Sequence, residues 1–285
     1  MRLIHQSYLS TFNCHLLLSL PPKVKHLKKI RIAAVDYLNT KPLLYGIKRN
    51  AVKMNIELVE AYPAKVAQML LDGAVDVGLI PVAVIPDLNE PHIITDYCIG
   101  CDGAVASVCI FSEVPLQEVK RLFLDYQSRT SVLLAKILLK EYWKWDATLI
   151  DARGEEYINE IRGTAAGLII GDRALEQRGN YKYVYDLGEA WKAHTNLPFV
   201  FAAWVSNKEL PEQFIVDFNE ANRLGLSDIP KVLEENQYKS FDLQSYYTQY
   251  ISYNFNHSKK EGLQKFLSSL VDYLVIPQPF ITSNP

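Results

Sequence analysis

Short apolar runs alternate with helical stretches from residue 30 onward, and this alternation constrains the fold more than any other feature of the sequence. IRIAAV reads as a strand, Pro42 suits the first turn of the helix that follows, and NIELVE is the next strand. A second helix starts at Pro63 and stops near Gly73, before VDVGLIPVAVI, a near-continuous apolar run typical of a buried parallel strand. The pattern predicts a βαβαβ unit and an α/β protein.

A second unit of the same kind begins with AVASVCIFS. Its further strands are predicted at RLFLDYQ, ATLID and AGLIIGD, and its helices at SRTSVLLAKILLKEYW and around EEYINEI. After the apolar return strand LPFVFAAWVS, the pattern is helical over roughly 210–222, 228–236, 242–251 and 259–275. This order predicts two lobes with a ligand cleft between them: residues 30–106 plus 202–285 form one lobe, and residues 107–201 form the other.

Residues 1–29 do not fit this pattern, and we expect a poorly ordered extension or a mis-set start. Their apolar run CHLLLSL makes a poor secretion signal, because only Arg2 is basic ahead of it and because His15 and Ser19 interrupt it. No other run approaches the roughly 20 apolar residues that a membrane span needs. We therefore expect a cytoplasmic protein that does not act at a membrane.

Composition and motifs argue against several other classes of function. The net charge is only −2, with 22% charged residues, so no electrostatic footprint for nucleic acid is present. Cys98 and Cys101 form a C-x-x-C pair, but neither a second pair nor a histidine at metal-ligand spacing accompanies them. The sequence contains no phosphate loop or dinucleotide fingerprint. We predict no metal and no cofactor, and we make no prediction of oligomeric state.

The loop DYLNTK follows the first predicted strand. In open parallel sheets, ligands bind outside the carboxyl ends of the strands. Asn39 and Thr40 could therefore donate hydrogen bonds to a polar ligand. Capping of the helix that begins at Pro42 explains Asn39 or Thr40 equally well.

DYQSRTS lies at a predicted strand-to-helix junction. Here the hydroxyls of Ser128, Thr130 and Ser131 can converge with the positive end of a helix dipole, and the Arg129 guanidinium suits a carboxylate. This combination favours an anionic ligand. A capped helix whose Arg129 pairs with a surface acid is the equally acceptable alternative.

IIGDRAL repeats this geometry. Gly171 would allow close backbone approach, and Asp172 is interpreted first as an N-cap. Ser107, in CDGAVAS, lies near the predicted crossing between the lobes, where it could face the cleft.

Several blocks resemble the chorismate dehydratases of the futalosine route to menaquinone: AVDYLNTKPLLYG, AYPAKVAQMLLDGAVDVGLIPVA, DYCIGCDGAVASVCIFSEVPL, LDYQSRTSVLLAKILL, LIIGDRAL and LPFVFAAWV. The resemblance runs from about Lys29 to Asn207, and YLNTKP and SRTS are its most specific parts. It implies a fold like that of type II periplasmic binding proteins in a cytoplasmic enzyme. It also implies that chorismate loses water to give 3-[(1-carboxyvinyl)oxy]benzoate without metal or organic cofactor, with the substrate's enolpyruvyl carboxylate as one possible base.

The resemblance also implies residue roles. Asn39 and Ser107 would lie nearest the chemistry, and Thr40 would help to bind the substrate. The residues implied to bind carboxylate are Ser128, Arg129, Thr130 and Ser131, and those implied to line the opposite wall are Gly171 and Asp172. The chain departs from the family pattern at Cys101, where Ala is expected, and at Ala104, where Pro is common.

Three other functions share the predicted fold. A solute-binding protein for a small carboxylate would require export, which residues 1–29 argue against. The sister enzyme that forms dihydroxynaphthoate carries a Cys-Pro-Asn-Asp kind of motif where this chain has DYLNTKP. A regulatory effector-binding module would follow a basic helix-turn-helix domain, for which residues 1–29 are too short.

Overall fold

Two mixed β-sheets organise the chain in the computed structural model, which describes residues 29–274. The six-stranded first sheet has the order β11-β4-β10-β3-β1-β2. Its strands are β1 (Ile30–Val35), β2 (Ile56–Ala61), β3 (Val77–Pro81), β4 (His92–Cys101), β10 (Phe199–Ser206) and β11 (Ser252–Asn254). The five-stranded second sheet has the order β7-β6-β8-β5-β9. Its strands are β5 (Val108–Ser112), β6 (Arg121–Leu124), β7 (Thr148–Asp151), β8 (Ala165–Ile170) and β9 (Tyr183–Asp186).

Helices connect and cover these strands. They are α1 (Lys41–Lys48), α2 (Pro63–Leu71), α3 (Arg129–Ile137), α4 (Asp172–Gln177), α5 (Leu187–Thr195), α6 (Glu212–Leu226), α7 (Ile229–Glu235), α8 (Leu243–Ser245), α9 (His257–Ser269) and α10 (Val271–Leu274). Tighter 3₁₀ turns occur at Leu38–Thr40, Val82–Asp87, Leu116–Glu118 and Glu155–Glu160, and wider π turns at Leu138–Trp143 and Tyr246–Tyr250. Among the described residues, no helix combines the length and the apolar character that crossing a membrane requires.

The predicted βαβαβ unit is confirmed. Strand β1 pairs in parallel with β2 on one side and with β3 on the other. Pro42 and Pro63 lie in the first turns of α1 and α2, where the missing N–H of proline costs no helical hydrogen bond. Gly73 follows α2 with a φ of +68°, a value that glycine adopts without strain. The class is α/β, as predicted.

Two local predictions are wrong. The apolar run after Gly73 is a strand only as far as Pro81, and the chain then turns into the 3₁₀ segment Val82–Asp87. The segment EEYINE is likewise a 3₁₀ turn and not an α-helix. The sequence pattern also predicts no element at β4, β9, β11 or α5. Asp96 and Gly100 interrupt the apolar pattern of β4, so its ten residues did not read as one strand.

Strand β10 crosses the predicted lobe boundary at residue 201 and belongs to the first sheet along its whole length, antiparallel to both β3 and β4. The division into two lobes stays a prediction. The predicted extension, apart from Lys29, lies outside the described residues.

Helix α6, from the last third of the chain, packs against α1 and fixes the loop that precedes α1. The crossing is close because two glycines lie in it: a Cβ on Gly46 would collide with the backbone oxygen of Ala221, and a Cβ on Gly225 with that of Pro42. The side chains of Leu43, Leu44 and Phe218 are fully or almost fully buried around this contact. The C-terminal helices therefore hold the start of α1 in place.

Candidate active site

A cleft lies between the two sheets, where the ends of β1 and β3 approach the start of β5 and the end of β8. Its cavity volume is about 50 Å³, so the cleft is narrow. Its lining is mostly apolar with a few hydroxyl and amide groups, as is usual for a small-molecule site. The lining residues are Val35, Tyr37, Asn39, Thr40, Pro63, Pro81, Ile99, Val105, Ser107, Val108, Ser128, Ser131, Ile170, Gly171, Phe201 and Ala202.

Six of the nine predicted site residues line this cleft together: Asn39, Thr40, Ser107, Ser128, Ser131 and Gly171. The other three, Arg129, Thr130 and Asp172, lie beside it. The loops that carry these residues are separated in the sequence. The folding of the two sheets brings the loops together.

The loop after β1 presents Asn39 and Thr40 to the cleft. Thr40 is the N-cap residue of α1, as the capping alternative predicted, but neither side chain makes a capping hydrogen bond at the turn Leu38–Thr40 or at α1. Instead, the Thr40 hydroxyl donates to Asn39 Oδ1 at 3.2 Å, and the Tyr253 hydroxyl donates to the Asn39 backbone oxygen at 3.0 Å. The bond to Oδ1 orients the amide and leaves its NH₂ group for other partners.

Ser107 enters the cleft from a strained turn. The preceding residue, Ala106, has a φ of +63°, which is unfavourable for a residue with a Cβ. Ser107 itself is 1% exposed, and its hydroxyl lies 3.5 Å from the Val105 oxygen, which is long for a hydrogen bond. The Ser107 hydroxyl therefore has no strong partner within its own turn.

The carboxylate of Asp186, at the end of β9, holds this turn in place. It accepts the N–H of Val105 at 3.0 Å and that of Ala106 at 2.7 Å, while also capping α5. Arg178 donates to the Ala106 oxygen at 3.0 Å. Both the N–H and the carbonyl oxygen of Ala106 are thus hydrogen-bonded, and these bonds compensate for the strained backbone.

The predicted residues at the junction between β6 and α3 have two different roles. Ser128 is the N-cap of α3, and its hydroxyl accepts the Ser131 N–H at 3.2 Å and lies 3.0 Å from the Ser131 hydroxyl. The predicted capping alternative is therefore found for Ser128, but both serines also line the cleft. Thr130 is fully buried, and its hydroxyl accepts the Ala83 N–H at 3.1 Å, which ties α3 to the first sheet.

Arg129 does not line the cleft. Its guanidinium pairs with Asp87 at the protein surface, where the two side chains are 41% and 37% exposed. The alternative of an arginine paired with a surface acid therefore describes its position. The structure gives no geometric support to the predicted contact between Arg129 and a substrate carboxylate.

Gly171 and Asp172 close the cleft from the second sheet. Gly171 has a φ of +65° and a ψ of −149°, and a Cβ there would lie 2.8 Å from the Tyr37 ring. Its N–H donates to the Ser107 oxygen at 2.8 Å. Gly171, and not Asp172, is the N-cap of α4, so the interpretation of Asp172 as a cap is wrong.

The Asp172 carboxylate instead accepts the Leu38 N–H at 3.1 Å and so links α4 to the loop that carries Asn39. Burial raises the pKa of Asp172 to about 6, although the Leu38 N–H and Lys41 favour the ionised form. A contact between the two sheets therefore depends on a carboxyl group that titrates within reach of neutral pH.

A polar cluster behind the cleft was not predicted. Tyr37 lines the cleft, and its hydroxyl donates to Gln127. Arg173 interacts with Tyr37 and donates to Asp125 at 2.8 Å, and burial raises the pKa of Asp125 despite this cation. Within residues 29–274, Arg173 Nη1 is buried with no hydrogen-bond partner. No local signal in the sequence distinguishes Arg173 from Arg129, because only the fold decides which arginine points inward.

Tyrosines from the segment 238–253, interpreted from sequence as helix packing, also reach the site. Besides Tyr253, which bonds to Asn39, the fully buried Tyr246 adjoins the side chains of Ser107 and Asn39. Their distance in sequence from Asn39 hid this role.

Residues 29–274 contain no group of three or more His, Cys, Asp or Glu side chains that could hold a metal ion. Cys98, Cys101 and Cys109 are buried free thiols. The cleft therefore offers neutral hydrogen-bond donors, one strained turn and the start of α3. Such a lining can hold and orient an anionic organic molecule while excluding water.

A family model described as menaquinone biosynthesis matches residues 30–272 of the chain. A curated protein of Thermus thermophilus named chorismate dehydratase is 27% identical over 258 residues, which cover 82% of this chain and 92% of that protein. A Campylobacter jejuni protein of the same name is 26% identical over 248 residues, covering 82% and 95% of the two chains.

Solved structures show the fold. Protein AF1704 from Archaeoglobus fulgidus superposes with a TM-score of 0.69 at 18% identity, covering 88% of this chain and all of that one. A Candida albicans protein described as having the generic periplasmic binding protein fold superposes with a TM-score of 0.56 at 13% identity, covering 88% and 92%. The chain therefore has a periplasmic-binding-protein-like fold, as the resemblance implied.

Proposed function

The chain belongs to the menaquinone biosynthesis family whose model matches residues 30–272, and from this premise we propose that it is a hydro-lyase that converts chorismate to 3-[(1-carboxyvinyl)oxy]benzoate. The two curated relatives named chorismate dehydratase support this substrate. One observation about the cleft carries the proposal: Asn39 and Ser107, which the resemblance implies to lie nearest the chemistry, line one narrow cleft together.

The reaction removes the C3 proton and the C4 hydroxyl of chorismate. The C–H and C–O bonds break, the electrons of the C–H bond form the new ring double bond, and proton and hydroxide leave as water. Because the product ring is aromatic, the reaction has a strong driving force. The protein must therefore hold the substrate, stabilise the departing hydroxyl and exclude competing reactions.

The lining residues suit this division of tasks. The Asn39 NH₂ group would donate to the departing hydroxyl or orient the ring, and Ser107 would hold the ring or a carboxylate. Ser128, Ser131 and the free N–H groups at the start of α3 would bind a carboxylate, with the positive end of the helix dipole favouring the anion. Thr40 supports Asn39 through its hydrogen bond to Oδ1.

The cleft supplies no evident protein base. Among the described residues that line it, none is an Asp, Glu, His or Lys. The one titratable side chain there is Tyr37, and burial holds its pKa far above neutrality, so tyrosinate does not form at neutral pH. We propose the substrate's own enolpyruvyl carboxylate, which the family resemblance implies as a possible base, as the proton acceptor.

Entry of chorismate requires the two lobes to separate. Several hydrogen bonds cross the cleft, including those from Leu38 N–H to Asp172, from Ala83 N–H to Thr130 and from Ala64 N–H to the Gln127 oxygen at 3.2 Å. In our proposal these bonds open and re-form in each turnover. Solution scattering with and without substrate should show a more extended free protein, and identical profiles would count against this motion.

We place the reaction in the futalosine route in the cytoplasm. A deletion strain of the source organism should need menaquinone and should recover when fed 3-[(1-carboxyvinyl)oxy]benzoate. Cell fractionation should recover the protein with cytoplasmic markers. Recovery of the strain with chorismate alone would contradict the assignment.

The decisive assay mixes the purified protein with chorismate in buffer treated with a chelator and follows loss of the cyclohexadiene absorbance, with the product identified by mass spectrometry. Catalytic formation of a product lighter by one water is expected. Asn39→Ala and Ser107→Ala should each reduce kcat about 10²-fold or more, as removal of a donor to a developing anion does in other enzymes. Near-wild-type turnover in both variants would remove their assignment, while binding without turnover would favour a solute-binding protein.

A further inference from the structure

The phenol of Tyr246 is buried in an unusual way. Its side chain is fully shielded from solvent, and its hydroxyl has no hydrogen-bond partner of normal geometry within the described residues. Buried polar groups almost always have a partner, so an unpaired hydroxyl calls for an explanation. Tyr246 also begins the π turn Tyr246–Tyr250, and such turns are frequent at functional sites.

Two residues of the proposed site face this hydroxyl. The side chains of Ser107 and Asn39 both lie close enough to lower the pKa of the Tyr246 phenol, although burial outweighs them and holds that pKa well above its ordinary value. The phenol therefore keeps its proton. The same C-terminal segment also binds Asn39, because the Tyr253 hydroxyl donates a hydrogen bond to the Asn39 backbone oxygen.

The hydrogen-bond inventory around these groups favours one arrangement. Asn39 Oδ1 already accepts from Thr40, so the Asn39 NH₂ group is the part that can donate to the Tyr246 oxygen. The Tyr246 O–H can then donate to Ser107 Oγ, whose bond to Val105 is long. In this arrangement the Ser107 hydroxyl proton is directed away from Tyr246 and into the cleft.

We propose that Tyr246 is a positioning residue, whose hydroxyl bridges Asn39 and Ser107 and aims their donors at the bound substrate. The inference rests on the proposed function for the identity of that substrate. It assigns a further role to the C-terminal segment, which also binds the Asn39 backbone through Tyr253. Tyr246 acts through Asn39 and Ser107 and transfers no proton to or from the substrate itself.

Tyr247 offers a matched control. It is 2% exposed, and its hydroxyl too is buried without a partner, but among charged or polar groups only Asp172 acts on its pKa. Tyr246→Phe and Tyr247→Phe thus remove the same atom from similar surroundings on neighbouring residues. If a buried hydroxyl mattered only for packing, the two variants would behave alike.

The test compares chorismate kinetics and thermal unfolding of these two variants with the wild type. We expect Tyr246→Phe to lower kcat at least about tenfold with KM changed less than about threefold, because the donors lose orientation while binding contacts remain. Tyr247→Phe should keep wild-type kinetics, and both variants should unfold at or above the wild-type temperature. Wild-type kcat in Tyr246→Phe, an equal loss in both variants, or a change confined to KM would overturn the inference.

A second measurement separates this inference from the proposed function. If the wild-type protein does not consume chorismate, the proposed function fails, and the position of Tyr246 is then tested by denaturant unfolding of Tyr246→Phe, Ser107→Ala and the double variant. Residues in contact give non-additive changes, so we expect the effects on stability not to sum. Simple additivity would overturn the bridging role without reference to any substrate.

Discussion

The Asp186 carboxylate accepts the backbone N–H of Ala106 at 2.7 Å, and this bond holds the residue before Ser107 at a φ of +63°. A non-glycine residue in this region costs on the order of 1 to 3 kcal/mol and persists only where its surroundings enforce it. Asp186 lies at the end of β9, a strand that the sequence analysis did not assign. The position of Ser107 thus depends on a carboxylate from a distant part of the chain.

Replacing Asp186 with Asn should release this turn. In the variant, a neutral amide replaces the charged carboxylate that accepts the N–H groups of Val105 and Ala106. We therefore expect a loss of about 1 to 3 kcal/mol in the free energy of unfolding and at least about a tenfold fall in kcat. Denaturant unfolding and chorismate kinetics measure both effects. Adding Ala106→Gly, which removes the backbone strain, should restore part of the stability. If the double variant is no more stable than Asp186→Asn alone, strain at Ala106 is not what Asp186 balances.

Replacing Gly171 with Ala should damage the cleft. The backbone there adopts a conformation that is essentially restricted to glycine, and the added Cβ would lie 2.8 Å from the Tyr37 ring. We expect a destabilisation of about 1 to 3 kcal/mol and a fall in kcat/KM of about tenfold or more. Gly179→Ala is the control, since a Cβ at Gly179 meets no atom within 4 Å. Equal behaviour of the two variants would show that the shape of the cleft at Gly171 does not matter.

Arg129→Ala tests which arginine serves the site. Because Arg129 pairs with Asp87 in solvent, its loss should change the free energy of unfolding by at most about 1 kcal/mol and kcat/KM by less than about threefold. Kinetics at several chorismate concentrations give the result. A rise in KM of tenfold or more would instead show that Arg129 reaches the substrate, as the family resemblance implies.

Asp172 should make stability depend on pH. Its pKa is raised by burial to about 6 in the folded protein, against about 4 in an unfolded chain. The folded state therefore binds the proton more tightly than the unfolded chain does. The stability that protonated Asp172 contributes to the fold is fully present below a pH of about 4 and is lost as the pH rises through 6. The change is on the order of 2 to 3 kcal/mol.

The matched variant for this prediction is Asp172→Asn, which keeps an oxygen to accept the Leu38 N–H but cannot titrate. Unfolding free energies of both proteins from pH 4 to 7 should show the wild type losing stability relative to the variant as the pH rises. Parallel curves would mean that the Asp172 carboxyl keeps its ordinary pKa.

Local patterns predicted what neighbouring residues determine. The parallel arrangement of β1, β2 and β3 follows from apolar periodicity, and Pro42, Pro63 and Gly73 mark helix ends through their own backbone preferences. Ser128 was recognisable as a cap for the same reason. Ser128, Ser131 and Gly171 share one cleft because β6 and β8 are parallel neighbours, and loops after parallel strands open on the same edge of a sheet.

Contacts between distant parts of the chain were not predictable in this way. Whether Arg129 or Arg173 turns inward depends on Asp87 and Asp125, acids that are far from each other in the chain. The bridge formed by Asp172 and the approach of Tyr246 to Ser107 likewise arise only when the sheets are assembled. A residue's own neighbours in sequence carry no information about such partners.

Ser107 lies at the point where the chain leaves β4 of the first sheet and enters β5 of the second. In a rotation of one sheet against the other, a residue at the crossing moves least, and Gly171, whose N–H donates to the Ser107 oxygen, stays with it, whereas Ser128, at the start of α3, sweeps through a larger arc. If the lobes rotate as proposed, Ser107 and Gly171 would form the part of the cleft that keeps its position, and Ser128 the part that moves. Chorismate would then be able to contact Ser107 first and be enclosed afterwards, so that recognition and enclosure are separate events in time.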